Sequence, residues 1–192
     1  IQGGLFEDLR RESTQFVCEK SLDGIALGGE SIGFDMPKTR EIIQSVIDLL
    51  PTHKPRYTMG VGLSPQDLLD VIEQGIDMFD CVAPTRNARH GALYSGQIVS
   101  KGHWLAFESP FEQGRLPIKK ALFANDQAPI MEGCSCWTCQ HYSRAYLHQL
   151  FKEQAPLFSA LACLHNISVF HQVCERARLH IQQEALSCHT SS

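Results

Sequence analysis

Gly75-Ile-Asp-Met-Phe-Asp-Cys-Val-Ala-Pro-Thr-Arg-Asn-Ala-Arg-His-Gly91 is the stretch on which the fold turns. Its apolar run, Ile76 to Phe79, predicts a short buried strand of the continuous kind found in parallel sheets. The strand ends on a carboxylate, Asp80. Cys81-Val82-Ala83-Pro84 closes it, since Pro84 carries no ladder hydrogen bond onward. A loop is expected next, with the cations Arg86 and Arg89 spaced around Asn87. A carboxylate at a strand exit, facing a basic loop, suits chemistry on a phosphate-bearing substrate. Taken alone, the same residues also describe an aspartate capping its own turn beside two solvated arginines, and local pattern favours that plainer reading.

Working outward toward the N-terminus, Gly24-Ile25-Ala26-Leu27 predicts another short strand, ending at the pair Gly28-Gly29. Paired glycines let backbone N–H groups approach a ligand, although a plain tight turn needs them equally. Arg56 to Gly62 predicts a third strand with a glycine exit. Between these lie helical patterns. One runs through Leu5, Leu9 and Phe16. A second opens at Pro37, buries Ile42, Ile43, Val46, Ile47, Leu49 and Leu50, and stops at Pro51. A third starts at Ser64-Pro65, carries Leu68, Leu69, Val71 and Ile72, and ends at Gly75. Alternation of strand and helix implies a parallel sheet with right-handed crossovers. Glycines or an acid recur at each strand's C-terminal end, where barrel enzymes build their sites. At most four strand–helix steps are present against the eight of a closed barrel, so half lies elsewhere or the sheet is open. Ile1-Gln2-Gly3-Gly4 begins with neither Met nor leader, as though in mid-fold.

Downstream, Gly91 to Gly133 has no clean period, and a hairpin or small subdomain is expected there. Lys119-Lys120 is more simply a solvated pair than a phosphate contact. Gly133-Cys134-Ser-Cys136-Trp-Thr-Cys139 then packs three thiols at C-x-C-x-x-C spacing. Short spacers let one turn aim several sulfurs at a point, as tetrahedral zinc requires at about 2.3 Å per sulfur. A fourth ligand is needed, and pattern alone leaves His141, His148, His165 and His171 open. A helix is expected from Ser143 to Phe151. A final one should run from Asn166 through Ile181 with Ile167, Phe170, Val173 and Ala177 on one face, fraying after Leu186.

Composition bounds the rest. The 192 residues are 43% hydrophobic and 20% charged, which suits a globular chain with a real core. No apolar run stands out in the sequence as a bilayer span. A net charge of −4 gives no support to a nucleic-acid partner but leaves room for a local basic patch. Three of the eight cysteines crowd one short stretch and the others scatter, which favours metal binding in a reducing compartment over a disulfide framework. Cys18, Cys81, Cys163, Cys174 and Cys188 then read as packed thiols.

GIDMFDCVAPTRNARHG closely resembles the signature of the tRNA-guanine transglycosylases (queuine tRNA-ribosyltransferases), and the resemblance extends from Ile1 nearly to Leu186. It implies an α/β fold, the C-terminal half of a TIM (β/α) barrel with a zinc-binding helical subdomain. The parts would be residues 1–91 with the barrel units, 92–133 as an irregular or hairpin segment, 134–186 as the zinc subdomain and C-terminal helix, and 187–192 as a tail. Asp80 would be the catalytic nucleophile. Gln2, Gly28, Gly29 and Met59 would line the base pocket, and Thr85, Arg86 and Arg89 would lie against the tRNA. Leu164-His165-Asn166 matches the ligand histidine, so one structural Zn2+ would sit on Cys134, Cys136, Cys139 and His165. The family's N-terminal half would carry two further aspartates, absent here. The implied reaction exchanges guanine at the tRNA wobble position for a 7-deazaguanine base, in the cytoplasm, by a homodimer and with no membrane role. Whether the base is queuine or its aminomethyl precursor stays open. Glu30-Ser31-Ile32-Gly33-Phe34 departs from the bacterial pattern by lacking an acid at Phe34, while Ile32 keeps bulk that queuine-using members replace with glycine. The alternative is a non-catalytic zinc- and tRNA-binding accessory subunit, or an inactive piece of the enzyme.

Overall fold

The computed structural model describes residues 1–29, 32–33 and 35–190, with side chains described through Leu186. Two compact units divide the chain: residues 1–63 with 67–82, and residues 64–66 with 83–192.

In the first unit, helices α1 (Glu7–Cys18), α2 (Met36–Gln44) and α3 (Pro65–Glu73) alternate with strands β1 (Ile25–Leu27), β2 (Arg56–Thr58) and β3 (Met78–Phe79). The strands form one parallel sheet in the order β1-β2-β3, as strand–helix alternation requires. Ala26, Tyr57 and Met78 share one register row; Leu27, Thr58 and Phe79 share the next. Ile1 extends the ladder, its N–H donating to the Ala26 carbonyl while Gly28 N–H donates to the Ile1 carbonyl, the slanted pattern of a parallel pair. Barrel closure is not seen among the described residues. Asp35 caps α2 by accepting from Lys38 N, and Pro37 occupies the first turn, where its missing N–H costs nothing. Ile25, Leu27, Ile42, Ile43, Val46, Val61, Val71 and Ile76 make the core.

Three expectations need correction in this unit. β3 is only two residues long, and Met78 is 54% exposed where a buried strand is expected. Ile76, ahead of the strand, is buried and Phe79 packs against the core, so alternation turns its neighbour Met78 to the open face. Leu5 ahead of α1, and Leu9 and Phe16 within it, stand outward, whereas Arg10 and Thr14 are the buried positions. Helix α2 ends at Gln44, and a 3₁₀ turn at Ile47–Leu49 carries the remaining apolar residues toward Pro51. Of the departures in the 30–34 run, Glu30, Ser31 and Phe34 lie outside the described residues, while Ile32 is buried in the core.

The second unit begins with α4 (Ala83–Arg89), where a loop is expected. Pro84 stops a strand but equally suits the first turn of a helix, and no breaker follows before Gly91, which adopts φ +76°. Next come β4 (Ala92–Tyr94), the hairpin β5 (Gln97–Lys101) with β6 (Trp104–Glu108), and β7 (Arg115–Pro117), which pairs antiparallel with β4. Helices α5 (Trp137–His141), α6 (Arg144–Lys152) and α7 (Pro156–Thr190) complete it, Ser143 capping α6.

Helix α7 starts earlier than expected and runs to Thr190 where fraying is expected. Its buried face is Leu161, Ala162, His165, Asn166, Val169, Val173 and Ala177, so Ile167 falls off it and is 41% exposed. Pro156–Leu186 is long and apolar enough to cross a membrane by length and composition, contrary to the sequence reading. It packs against α4, α5 and β4 and buries the polar His165 and Asn166, with 39% of the span buried.

Candidate active site and metal centre

The parallel register sets the geometry of the first unit's site. One residue beyond the aligned row Leu27, Thr58 and Phe79 come Gly28, Met59 and Asp80, and the Ile1 pairing places Gln2 in the same row beside Gly28. Four of the expected site residues therefore leave the sheet side by side at its C-terminal edge. A Cβ at Gly28 would stand 2.8 Å from Gln2 Nε2 and 3.6 Å from Met59 Cε, so only glycine leaves the Gln2 amide where it is. Met59, Met78 and Asp80 are all exposed.

Tyr57, which the sequence reading missed, donates its hydroxyl to Asp80 Oδ1. This bond, followed by slight desolvation and the carboxylate's charge, raises the phenol's pKa above its ordinary value. Asp77 sits at the opposite end of β3, where its Oδ2 accepts from Arg56 N at 2.9 Å. It fastens the start of the sheet and has no place in the exit row.

Arg10 is the second residue missed. It is 1% exposed, and donates from Nε to the Gly4 carbonyl at 2.6 Å and from Nη1 to the Gly28 carbonyl at 3.0 Å. Burial pulls its pKa below the usual guanidinium value.

In the second unit Arg86 and Arg89 sit one turn apart on α4, so both exposed guanidiniums project from one face. Thr85 is half-buried on the same helix, its carbonyl accepting from the Cys163 thiol at 3.6 Å. Asn166 of α7 is fully buried; its Nδ2 donates to the Pro84 and Ala92 carbonyls, each at 3.0 Å, and its Oδ1 accepts from Tyr94 N at 2.9 Å.

Asn166 adjoins a cluster of Cys134, Cys136, Cys139 and His165 whose donor atoms all lie within 4.8 Å of one another. His165 Nδ1 is 3.9, 3.4 and 3.3 Å from the three sulfurs in turn. A tetrahedron with metal–sulfur bonds of about 2.3 Å and metal–nitrogen of about 2.0 Å has edges near 3.5 Å, so the set can hold a four-coordinate metal of zinc's size. His165 Nε2 donates to the Tyr94 carbonyl at 2.7 Å, which leaves Nδ1 facing the sulfurs. Cys136 begins α5 by accepting from Cys139 N, which fixes the short spacing. Thiolates so close repel unless a cation lies among them. Hydrogen bonding with Cys136 and Cys139 pulls the Cys134 pKa down, hydrogen bonding with Cys134 and Cys136 raises that of Cys139, and His165, lowered by burial but raised by its sulfur partners, rises overall to about 9. The other candidate histidines are engaged or apart: His148 donates to the Ile118 carbonyl and His141 to that of Trp137. Cys18, Cys81 and Cys163 are packed thiols donating to backbone carbonyls, and the Cys188 side chain lies outside those described.

Known proteins share this chain's sequence along its length. The family model for queuine tRNA-ribosyltransferase matches residues 1–190. The chain is 42% identical to a queuine tRNA-ribosyltransferase of Herpetosiphon aurantiacus, over 96% of this chain and 43% of that protein. It is 43% identical to that of Lawsonia intracellularis, over 93% of this chain and 43% of the relative, and 39% identical to that of a Thermoanaerobacter species, over 97% and 45%. The chain thus spans less than half the length of these relatives. A match that runs through both units, from the Gln2 row to the end of α7, shows that the chain belongs to the queuine tRNA-ribosyltransferase family.

Proposed function

We propose that this chain supplies the nucleophile, the base-pocket edge and the metal subdomain of a tRNA-guanine transglycosylase, the C-terminal half of its (β/α) barrel. The observation that carries the reading is the exit row of Gln2, Gly28, Met59 and Asp80, with Tyr57 bonded to the Asp80 carboxylate. Exchange of one base for another with configuration retained needs two inversions and hence a covalent intermediate. Asp80 attacks C1′ of the wobble guanosine; an oxygen–carbon bond forms, and the C1′–N9 bond breaks with its electron pair passing to guanine, which departs after taking a proton. A 7-deazaguanine base, having lost its ring-nitrogen proton, attacks the same carbon and the carboxylate leaves. Tyr57 holds Oδ1, which orients the other oxygen for attack. Gln2, Gly28, Gly29 and Met59 seat the base, and Thr85, Arg86 and Arg89 take the anticodon-loop backbone, as single-stranded RNA loops are commonly held.

Cys134, Cys136, Cys139 and His165 hold one zinc ion in this reading. Four protein ligands leave no open position, so the ion ties α5 to α7 and takes no part in the reaction. The reading carries with it a homodimer, checked by light scattering, and a cytoplasmic setting.

The experiment is incorporation of labelled guanine into tRNA. Asp80→Asn should abolish exchange and covalent tRNA adduct alike, while the melting temperature stays within a few degrees. Full exchange by Asp80→Asn would sink the mechanism.

A further inference from the structure

The Arg10 side chain passes between two turns that carry the proposed base pocket. Gly3 and Gly29 adopt φ +135° and +134° on either side of it. A Cβ at Gly3 would lie 2.7 Å from Arg10 N and 2.8 Å from its Cγ; one at Gly29 would lie 2.4 Å from its Nη2. The guanidinium then bonds the Gly4 carbonyl on one side and the Gly28 carbonyl on the other. Gln2 and Gly28, which these bonds bracket, are the residues whose close approach forms the pocket edge.

A purely structural tie would not call for a cation here. Among the described residues Nη2 has no hydrogen-bond partner although it is buried, and no carboxylate pairs with Arg10. An unpaired buried charge is costly, so its presence asks for a gain elsewhere. A carbonyl that accepts from a cation polarises its amide, and the N–H on the far side of that amide becomes a stronger donor. For Gly28 that N–H belongs to Gly29.

We propose that Arg10 is a positioning residue for base exchange: it locks the Gln2 turn against the β1 exit and polarises the Gly28–Gly29 peptide toward the base. This rests on the transglycosylase reading above. When the glycosidic bond breaks, its electron pair moves onto the base, and a fixed positive charge behind the pocket wall favours that state without touching it.

The test compares Arg10→Lys and Arg10→Gln with the unsubstituted protein, measuring KM for guanine, KM for tRNA, kcat and thermal melting. Arg10→Gln should raise KM for guanine and lower kcat, by about tenfold to a hundredfold in kcat/KM, with KM for tRNA unchanged. Arg10→Lys, which keeps the charge and one donor, should recover part of the loss and serves as the better-folded variant. Exchange by the unsubstituted protein, with both variants melting lower but keeping its kinetic constants, would overturn this inference alone. No exchange by the unsubstituted protein would overturn the functional reading and this inference with it.

Discussion

Asn166 donates its side-chain amide to the carbonyl of Pro84 at 3.0 Å, which ties the residue beside the metal-site histidine to the first turn of α4. The same amide group reaches Ala92, and its oxygen receives Tyr94 N, whose own carbonyl accepts from His165. One buried side chain thus joins the helix bearing Arg86 and Arg89 to the cluster of Cys134, Cys136, Cys139 and His165. Asn166→Ala would remove three hydrogen bonds to backbone groups and should cost about 2–4 kcal/mol of stability. Hydrogen exchange should quicken in residues 84–92 ahead of the first unit, and unchanged exchange there would break the proposed link.

Metal removal acts through the same network. Chelation, or Cys136→Ser, should lower the melting temperature of the second unit and speed hydrogen exchange in α5 and in α7 around His165. Restoring zinc to the chelated protein, but not to the Ser variant, should reverse the change. Metal analysis and melting curves decide it.

Gly28→Ala tests the pocket edge with little demand on the fold, because Gly28 does not adopt a positive φ and the new methyl meets the far end of a flexible side chain. The variant should fold, displace the Gln2 amide, and raise KM for guanine by about tenfold. An unchanged KM would place Gln2 outside the base site.

Tyr57→Phe removes the hydroxyl from Asp80 and keeps the ring. Exchange should slow by about tenfold while tRNA binding is preserved. In the unsubstituted protein one phenol should ionise above the ordinary tyrosine range, since Asp80 raises the Tyr57 pKa. Difference absorbance between the two proteins during an alkaline titration would isolate it.

Arg89→Ala should weaken tRNA binding across sequences and flatten the salt dependence of log K by close to one phosphate contact, about 0.7 for a single strand. An unaltered slope would mean that Arg89 is solvated. The acid side has its own marker in Asp126, whose pKa is lowered by the Ala128 N–H and then by Arg144 at 3.0 Å. A carboxylate depressed on folding adds stability above its unfolded pKa and loses it as pH falls through the folded one. Asp126→Asn should therefore flatten the fall in melting temperature below about pH 4.

The grouping of the three cysteines was largely legible, because thiols at such short spacing have few other uses; the histidine beside them needed the resemblance, since His141, His148 and His171 fit the pattern as well. Strand–helix alternation disclosed the parallel sheet, yet not its register, which depends on pairing between distant residues. Pro84 misled because the same ring ends a strand and begins a helix. Leu5, Leu9 and Phe16 misled because helical period reveals that a face exists without revealing whether anything covers it. Arg10 and Tyr57 left no local trace: each acts through a partner brought near only by the fold, and Asn166 does likewise.

Gly3, Arg10 and Gly29 occupy one shared volume, and this bears on how the protein can vary. A side chain gained at Gly29 displaces the guanidinium and one gained at Gly3 collides with the arginine's own backbone, while shortening the arginine opens room that the glycines alone cannot fill. Mutational scans that change one position at a time should score all three as intolerant, although the constraint belongs to the trio. Acceptable alternatives, if the family explores them, would arise as combined replacements, so these three positions should be inherited as a single character.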